Sequence, residues 1–520
     1  MTDKGSLTLR AAALTLLFTL FWLYAAGMAV PLAAVVPVAL TAGILSVFAV
    51  AGRGYGVWRG IAGGVVGMVL AAVVCAMLDD HSFDGNIYHQ EIIMALIDGW
   101  QPYAGGDAPA GMSIWALHYC KAIETAAAAV VAFTGRIESG KCVNFMLVGG
   151  AGLLVADMLR RLTPWPRKRL WAVVAVVVCN PVGVCQVLTY YVDFTKYYYI
   201  LVLLVGAVWL YRGERKLPVA LMMFAVWMAA GTKFNILFDM ALWCGAITVW
   251  FLCHRSRSAA AITAAAALVG AIGGVLLTGW HPYVTNYVSH GSPLYPLLGE
   301  GAVDIMDTNT PARLVGNRVV DFFISLFTVS LPTYGGRLGG FGALMPVCLV
   351  VSAIAMWRGT RSLPAVGWWI AALALLSCFV FPQSWWARYN CQLWLVVAMG
   401  AVAAGYCGRR LRRLTLGLDL VAVAISVAVA VGVSVRLTLR RAGIYRRAVT
   451  EHAVMYNATP QALRHFYEHG APVSAAPVGV VAPCIDAIAF MADLDEEGVP
   501  VVEFSDSVCI DDETRRGKRK

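Results

Sequence analysis

Two stretches of this chain, residues 258–279 and 414–435, run the length of a bilayer-crossing helix with scarcely a charge. A helix needs roughly 20 apolar residues to cross a hydrocarbon layer of about 30 Å. Such a segment has no polar stripe to turn to water, so it cannot coat a soluble domain. Similar windows recur near 8–28, 31–50, 60–78, 144–159, 170–188, 198–211, 217–231, 235–253, 258–280, 341–357, 363–381, 391–407 and 414–435. Only 13% of the residues are charged, about half of what a soluble domain carries. The expected fold is an all-α polytopic membrane protein with about thirteen transmembrane helices.

Charge between the windows orients them. Alternate short connections, together with Lys4 and Arg10, hold twenty of the forty Lys and Arg. The intervening loops are far longer and hold nine. Cytoplasmic loops concentrate Lys and Arg, which places the N-terminus in the cytoplasm of a cell inner (plasma) membrane and the long loops outside. One local exception is Arg436, Arg440 and Arg441 at the outer end of the last window. The same bias accounts for the net charge of +10 without a nucleic-acid partner. The first window has signal-peptide form, but further spans follow at once, so it reads as an uncleaved first helix. Four of the thirteen cysteines (Cys75, Cys179, Cys348 and Cys378) lie in apolar runs, where a thiol is a small hydrophobe.

The expected organisation is a transmembrane domain over 1–436, with outer loops at 79–143 and 281–340 and helices within the loops. A small soluble α/β domain follows over 437–510, on the extracytoplasmic side, and a charged, disordered tail over 511–520. The strands are expected at 478–481 and 499–504 around a helix at 486–497. Cys484 and Cys509 in this domain leave a disulfide open.

Chemistry concentrates in the outer segments. Asp79, Asp80, His81, Asp84, His89 and Glu91 fall within thirteen residues after an apolar window. A partly desolvated carboxylate there acquires a raised pKa and can take a proton from an alcohol; merely solvated acids are the alternative. Residues 87–100 place Ile92, Ile93, Leu96 and Ile97 on one helical face, suited to lying in the interface. Residues 113–134 carry Trp115, His118, Lys121 and Glu124 at helical spacing. In the second outer turn, five tyrosines fit an aromatic belt. Asp193 and Lys196 there are either functional or a local i, i+3 ion pair. Lys233 sits where two apolar segments meet, as a snorkelling cation or a phosphate partner. Arg388 is the only charge of its short turn, beside Trp385, Trp386 and Tyr389. Its planar fork suits phosphate oxygens. The third loop offers His281, Asn286, His290 and Tyr295 around Gly/Pro turns. Inside the windows, Asp239 and Asp419 are the main ionisable groups. A proton-coupled carrier usually has more.

These motifs, in this order, resemble those of GT-C-type glycosyltransferases, the polytopic enzymes that use polyprenyl-phosphate-linked sugars. The resemblance rests on Asp84-x-x-x-Tyr88-His89, Gly99-Trp100-x-Pro102-Tyr103, His118-Tyr119-x-Lys121, Thr134 to Lys141 with Asn144, Thr232-Lys233-Phe234, Gly291 to Pro296, and Trp386-x-Arg388-Tyr389. It implies transfer of a sugar from a polyprenyl-phosphate donor to a lipid, glycan or protein acceptor at the outer face, with inversion. Asp84, or else Asp80, would be the base or a metal-linked residue, and Asp193 a second acid. Lys233, Arg388 and Lys196 would hold the donor phosphate. His89, Glu91, His118, Lys121, His281, Asn286 and Tyr295 would contact substrate. A divalent metal stays an option, because Asp79-Asp80 stands where some relatives have Asp-Glu. Two other readings remain: a ligase or polymerase of lipid-linked glycans, centred on His281, His290, Arg313 and Arg318, and a polytopic transporter or flippase.

Overall fold

The computed structural model describes residues 4–80, 82–109, 112–303, 310–359, 365–451, 473–474 and 501–502. Among the described residues the chain is helical, apart from a two-residue parallel pairing of Val473–Ser474 with Val501–Val502. Seven helices are long and apolar enough to cross a membrane: Gly5–Gly27, Leu32–Ala51, Tyr55–Ala76, Ile137–Leu162, Phe234–Cys253, Arg257–Leu277 and Arg409–Leu439. This is a membrane protein. The remaining windows also hold helices, but these are shorter than a span: Thr195–Tyr211, Lys216–Thr232, Met345–Arg358, Ala365–Ser377 and Trp394–Ala404.

The window at 170–188 shows why length was lost. Its helix Arg167–Val178 stops at Asn180-Pro181, and a second helix, Pro181–Gln186, restarts there. Proline fits the first turn of a new helix because its missing N–H is not needed there. The Asn180 side chain accepts from the backbone N–H of Val182 (2.9 Å) and Gly183 (3.4 Å), capping the restart. The break frees the carbonyls of Val177 and Val178. Tyr197 and Tyr198 donate their hydroxyls to them at 2.5 and 2.8 Å. The tyrosines expected in an interfacial belt are therefore inside the protein: Tyr190, Tyr191, Tyr197, Tyr198 and Tyr199 are all buried. A buried phenol needs a hydrogen-bond partner, and a broken helix supplies several.

The first helix is the hub, packing on Leu32–Ala51, Tyr55–Ala76 and Cys142–Leu162. Its window is 67% buried, against 22% for each of the next two, which turn most of their apolar surface outward. At the face opposite the long loops, Arg10 bonds Asp157 at 2.9 Å and Glu214 at 2.9 Å, and Arg161 also reaches Asp157 at 3.1 Å. That network ties the first helix to the helix Cys142–Leu162 and to the turn after Thr195–Tyr211, at the end richest in arginine. The last helix continues to Glu451, past the boundary expected at 436. Within the tail, Val501–Val502 falls inside the strand expected at 499–504. The strand at 478–481, the helix at 486–497, Cys484, Cys509 and the charged end lie outside the described residues.

Candidate functional site

Four charged side chains from four distant segments meet at the long-loop face. Asp84 leads into a wide helical turn, Gly85–His89. The chain can fold back there because Gly85 has no side chain; an added Cβ would stand 2.1 Å from Asp80 Oδ2. Asp193 lies in the turn before the helix Thr195–Tyr211, held by the amide of Gln186, whose Oε1 accepts from the Phe194 N–H at 3.0 Å. Lys233 is the extended residue between the helices Lys216–Thr232 and Phe234–Cys253. Arg388 sits in the tight helical segment Ala387–Leu393. The loop at Gly336 lies against it so closely that a Cβ would come within 2.9 Å of the Arg388 backbone nitrogen.

The geometry is a chain of alternating charge. Arg388 Nη1 donates to Asp84 Oδ2 at 3.0 Å, and its Nε lies 3.8 Å from Asp193 Oδ2. Lys233 Nζ donates to Asp193 Oδ1 at 2.6 Å. Tyr191 donates its hydroxyl to Asp84 Oδ1 at 3.3 Å. The guanidinium lies 4.3 Å from the centre of the Trp386 ring and 5.1 Å from those of Tyr191 and Tyr389. Lys233 lies 5.4 Å from the Tyr389 ring. Cations over aromatic faces are favoured most where water is excluded. Burial alone would push Asp193 up, but Lys233 and Arg388 overrule it and hold its carboxyl below the usual value. Among the described residues, Arg388 Nε and Asp193 Oδ2 have no hydrogen-bond partner. Two facing, buried and unfilled polar atoms are places where a ligand atom or water would be held.

The local pairings read from the sequence are replaced. Asp193 and Lys196 do not pair with each other. Lys196 instead bonds Asp239 at 2.8 Å and the Tyr389 carbonyl at 2.5 Å, deep in the protein. It buttresses the Arg388 segment from behind. Lys233 does not snorkel; it is bound to Asp193. Asp80 is fully buried and clasps two loops together, accepting from the N–H groups of Ser82 and Tyr190, each at 2.7 Å. Burial pushes its carboxyl up to about 6, although Lys141 opposes the rise. Asp80 thus ties the loop that carries Asp84 to the turn that carries Asp193. Glu91 accepts from the Ser113 hydroxyl at 2.7 Å, and Ser113 in turn caps the helix Ile114–His118.

His89 pairs with Glu124 at 2.5 Å and lies near enough to Asp193 to favour its charged form. A second cluster gathers His118, Lys121, His281, Asn286 and Tyr295. Asn286 joins His118 Nδ1 at 2.8 Å and donates to the Tyr295 carbonyl at 2.8 Å. The Lys121 ammonium meets the carbonyls of Leu117 (3.0 Å) and Tyr119 (2.7 Å) and His281 Nε2 (3.0 Å). Burial lowers Lys121 from 10.5 to about 7 and, with Lys121 beside it, His281 to about 2. Tyr119 stands between the two clusters, edge-on to Tyr88 and within the field of Asp84 and Asp193.

Because the folded pKa of Lys121 is depressed, the unfolded chain holds the extra proton between about pH 7 and 10.5. Stability contributed by this group therefore rises with pH across that window. Lys121→Met is expected to flatten the rise, on the order of a few kcal/mol, in thermal unfolding followed from pH 7 to 10. A wild-type curve that does not climb relative to the variant would show that Lys121 is not held in this way.

The aromatic walls are Tyr88, Tyr119, Tyr191, Trp386 and Tyr389; four of them stand in the motifs noted in the sequence, but none was expected among the substrate-contacting residues, and Tyr191 was read as part of a membrane belt. Asp84 and Asp193 are both turned to Arg388 rather than to a common open point. Among the described residues, no group of three or more His, Cys, Asp or Glu is arranged to hold a metal ion. Comparisons with protein-family models, with curated proteins and with solved structures found no match to this chain.

Proposed function

We propose that this protein is a membrane glycosyltransferase that moves a hexosyl or pentosyl unit from a polyprenyl-phosphate donor to a lipid, glycan or protein acceptor. The long-loop face would be the outer face of the cell inner membrane, with the N-terminus in the cytoplasm and about thirteen apolar segments in or beside the bilayer. The observation that carries the reading is the meeting of Asp84, Asp193, Lys233 and Arg388 from four segments far apart in sequence. Buried charges are costly, and a chain keeps them converged where they do work.

The cluster is self-neutral at rest, with two carboxylates against two cations. A donor phosphodiester adds one negative charge. If it takes the place of Asp84 on Arg388, the guanidinium keeps an anionic partner and Asp84 is released as a base. Asp84 then accepts the proton of the acceptor hydroxyl. That oxygen attacks the anomeric carbon opposite the phosphate, and the bond from the anomeric carbon to the phosphate oxygen breaks. Its electron pair stays on the phosphate, which leaves as the polyprenyl phosphate dianion with the anomeric centre inverted. Lys233 and Arg388 face the charge that grows on the leaving oxygen, where such stabilisation counts most. Asp193, held ionised, keeps Lys233 in place. Tyr88, Tyr119 and Tyr389 offer rings on which a sugar can stack.

Purified protein in detergent, given synthetic polyprenyl-phosphate hexoses and pentoses with a cell-envelope extract as acceptor, is expected to release polyprenyl phosphate. Arg388→Gln is expected to lower that release by about a hundredfold. No release from any donor, together with movement of labelled lipid across vesicles containing the protein, would make it a carrier instead.

A further inference from the structure

His89 uses one of its two ring nitrogens and leaves the other idle. Its Nδ1 meets Glu124 Oε1 at 2.5 Å, and both side chains are buried. Among the described residues, His89 Nε2 and Glu124 Oε2 have no hydrogen-bond partner. A neutral ring that donates from Nδ1 to the carboxylate leaves a bare lone pair at Nε2. A doubly protonated ring would instead bury a charged N–H with no acceptor, which costs more. The hydrogen bonding thus favours the neutral ring until an acceptor comes to Nε2.

This dyad borders the charge cluster. His89 ends the wide turn that follows Asp84, closed by the Gln90 N–H on the Gly85 carbonyl, and turns of this width recur at functional sites. The ring lies close enough to Asp193 to favour its charged form, as Lys233 and Arg388 do more strongly. It rests on Tyr88, with ring centres 4.1 Å apart, and Tyr88 lies in the field of Asp84, Tyr119, Asp193 and Arg388. The helix Ile114–His118 packs on the same turn, but His118 is joined to Asn286, and Glu91 accepts from Ser113. Lys121 lies in the field of Glu124, yet its ammonium is directed at the carbonyls of Leu117 and Tyr119 and at His281. Three cationic groups thus stand by Asp193: Lys233, Arg388 and His89. Of these, the imidazole is the group that can change its charge near neutral pH.

We propose that His89 takes up a proton from solvent as the donor binds and presents its Nε2–H to the phosphodiester, with Glu124 holding the imidazolium so formed. The inference rests on the phosphate-binding reading of the cluster and adds a proton to it. Asp84, Asp193, Lys233 and Arg388 balance one another, so a phosphodiester brings one negative charge that nothing among them offsets. One proton on Nε2 cancels it. The proton on Nδ1 stays in its bond to Glu124, and the neutral dyad becomes a buried ion pair, where low dielectric strengthens the attraction. The bound state then holds one proton more than the free protein. Donor affinity therefore rises as pH falls and declines as pH rises, by at most about tenfold per pH unit.

The test is titration calorimetry of the intact protein in detergent with farnesyl methyl phosphate, a diester whose single charge stays fixed around neutral pH. Binding heats read in buffers of different ionisation heat give the number of protons exchanged per ligand bound. The wild-type protein is expected to take up about half a proton or more near pH 7, and its affinity to fall roughly threefold or more per pH unit. His89→Gln keeps a neutral donor in place of the ring and should bind the diester with no uptake and with an affinity level across pH. Glu124→Gln, which removes the charge that holds the imidazolium, should also abolish uptake. Binding without uptake in the wild-type protein would overturn the proposal and leave phosphate recognition standing. Uptake that persists in His89→Gln would assign the proton to another group, Asp84 or Lys121, and overturn it as well. Uptake that persists in Glu124→Gln would remove the carboxylate from the dyad's role. Failure of the wild-type protein to bind the diester at any pH would remove the phosphate reading itself, and the proton with it.

Discussion

Asp84→Asn is expected to lower the turnover of sugar transfer from a polyprenyl-phosphate donor by about a thousandfold, the usual worth of a positioned general base. Asn keeps the size of the side chain; its Oδ1 can accept from Arg388 while its Nδ2 donates to the Tyr191 hydroxyl, so the site should stay assembled. Donor binding should change little, because Arg388 and Lys233 remain. The contrasting variant is Asp193→Asn. Asp193 is buried and bound to Lys233 at 2.6 Å, and the two cations hold it below the usual carboxylate value. Such a carboxylate is a poor proton acceptor, and its loss should act on donor affinity through a loosened Lys233. Steady-state kinetics of both variants separate the roles: a fall in kcat for Asp84→Asn, a rise in KM for Asp193→Asn. Full turnover in Asp84→Asn would exclude it as the base.

The second large effect concerns stability. Lys196 and Asp239 form an ion pair whose side chains are 1% and 0% exposed. Removing one member of a buried pair strands the other charge, which costs roughly 3–5 kcal/mol. Lys196→Met should therefore lower the thermal midpoint in detergent strongly. The double variant Lys196→Met with Asp239→Leu should recover most of that loss, because an apolar pair of similar volume needs no desolvation of charge. Activity should not recover fully, since Lys196 also donates to the Tyr389 carbonyl, next to Arg388. If the single variant unfolds at the wild-type temperature, Lys196 is solvated and the buttress does not exist. If the double variant regains full transfer, the carbonyl contact does not position Arg388.

Much of this site could be read in advance as residue types but not as partners. Asp84, Asp193, Lys233 and Arg388 each drew notice as a charge without a local reason beside an apolar segment. Their relations were not readable. Asp193 sits three residues from Lys196, yet its turn precedes the helix Thr195–Tyr211, so helical spacing does not bring the two together. Asp80 has the same composition around it as Asp84. Only the backbone N–H groups of Ser82 and Tyr190, one of them supplied from another segment, make Asp80 a clasp. The tyrosines before and after Asp193 have the pattern of a membrane belt, and their burial depends on a helix break at Asn180-Pro181 whose carbonyls they satisfy. The helix length over 170–188 was overestimated for a related reason: hydropathy registers an apolar run whether or not a proline such as Pro181 divides it.

By itself the sequence determined the solvent. Twenty-residue apolar runs and few charges leave lipid as the only surrounding that costs little, because hydrocarbon transfer is additive over residues and needs no knowledge of neighbours. It also determined that the remaining charges would gather at the helix ends. Which charge meets which was decided by the tertiary structure. A buried ion pair depends on direction and on a few ångströms of distance, and those are set by how separate helices stop, cross and pack.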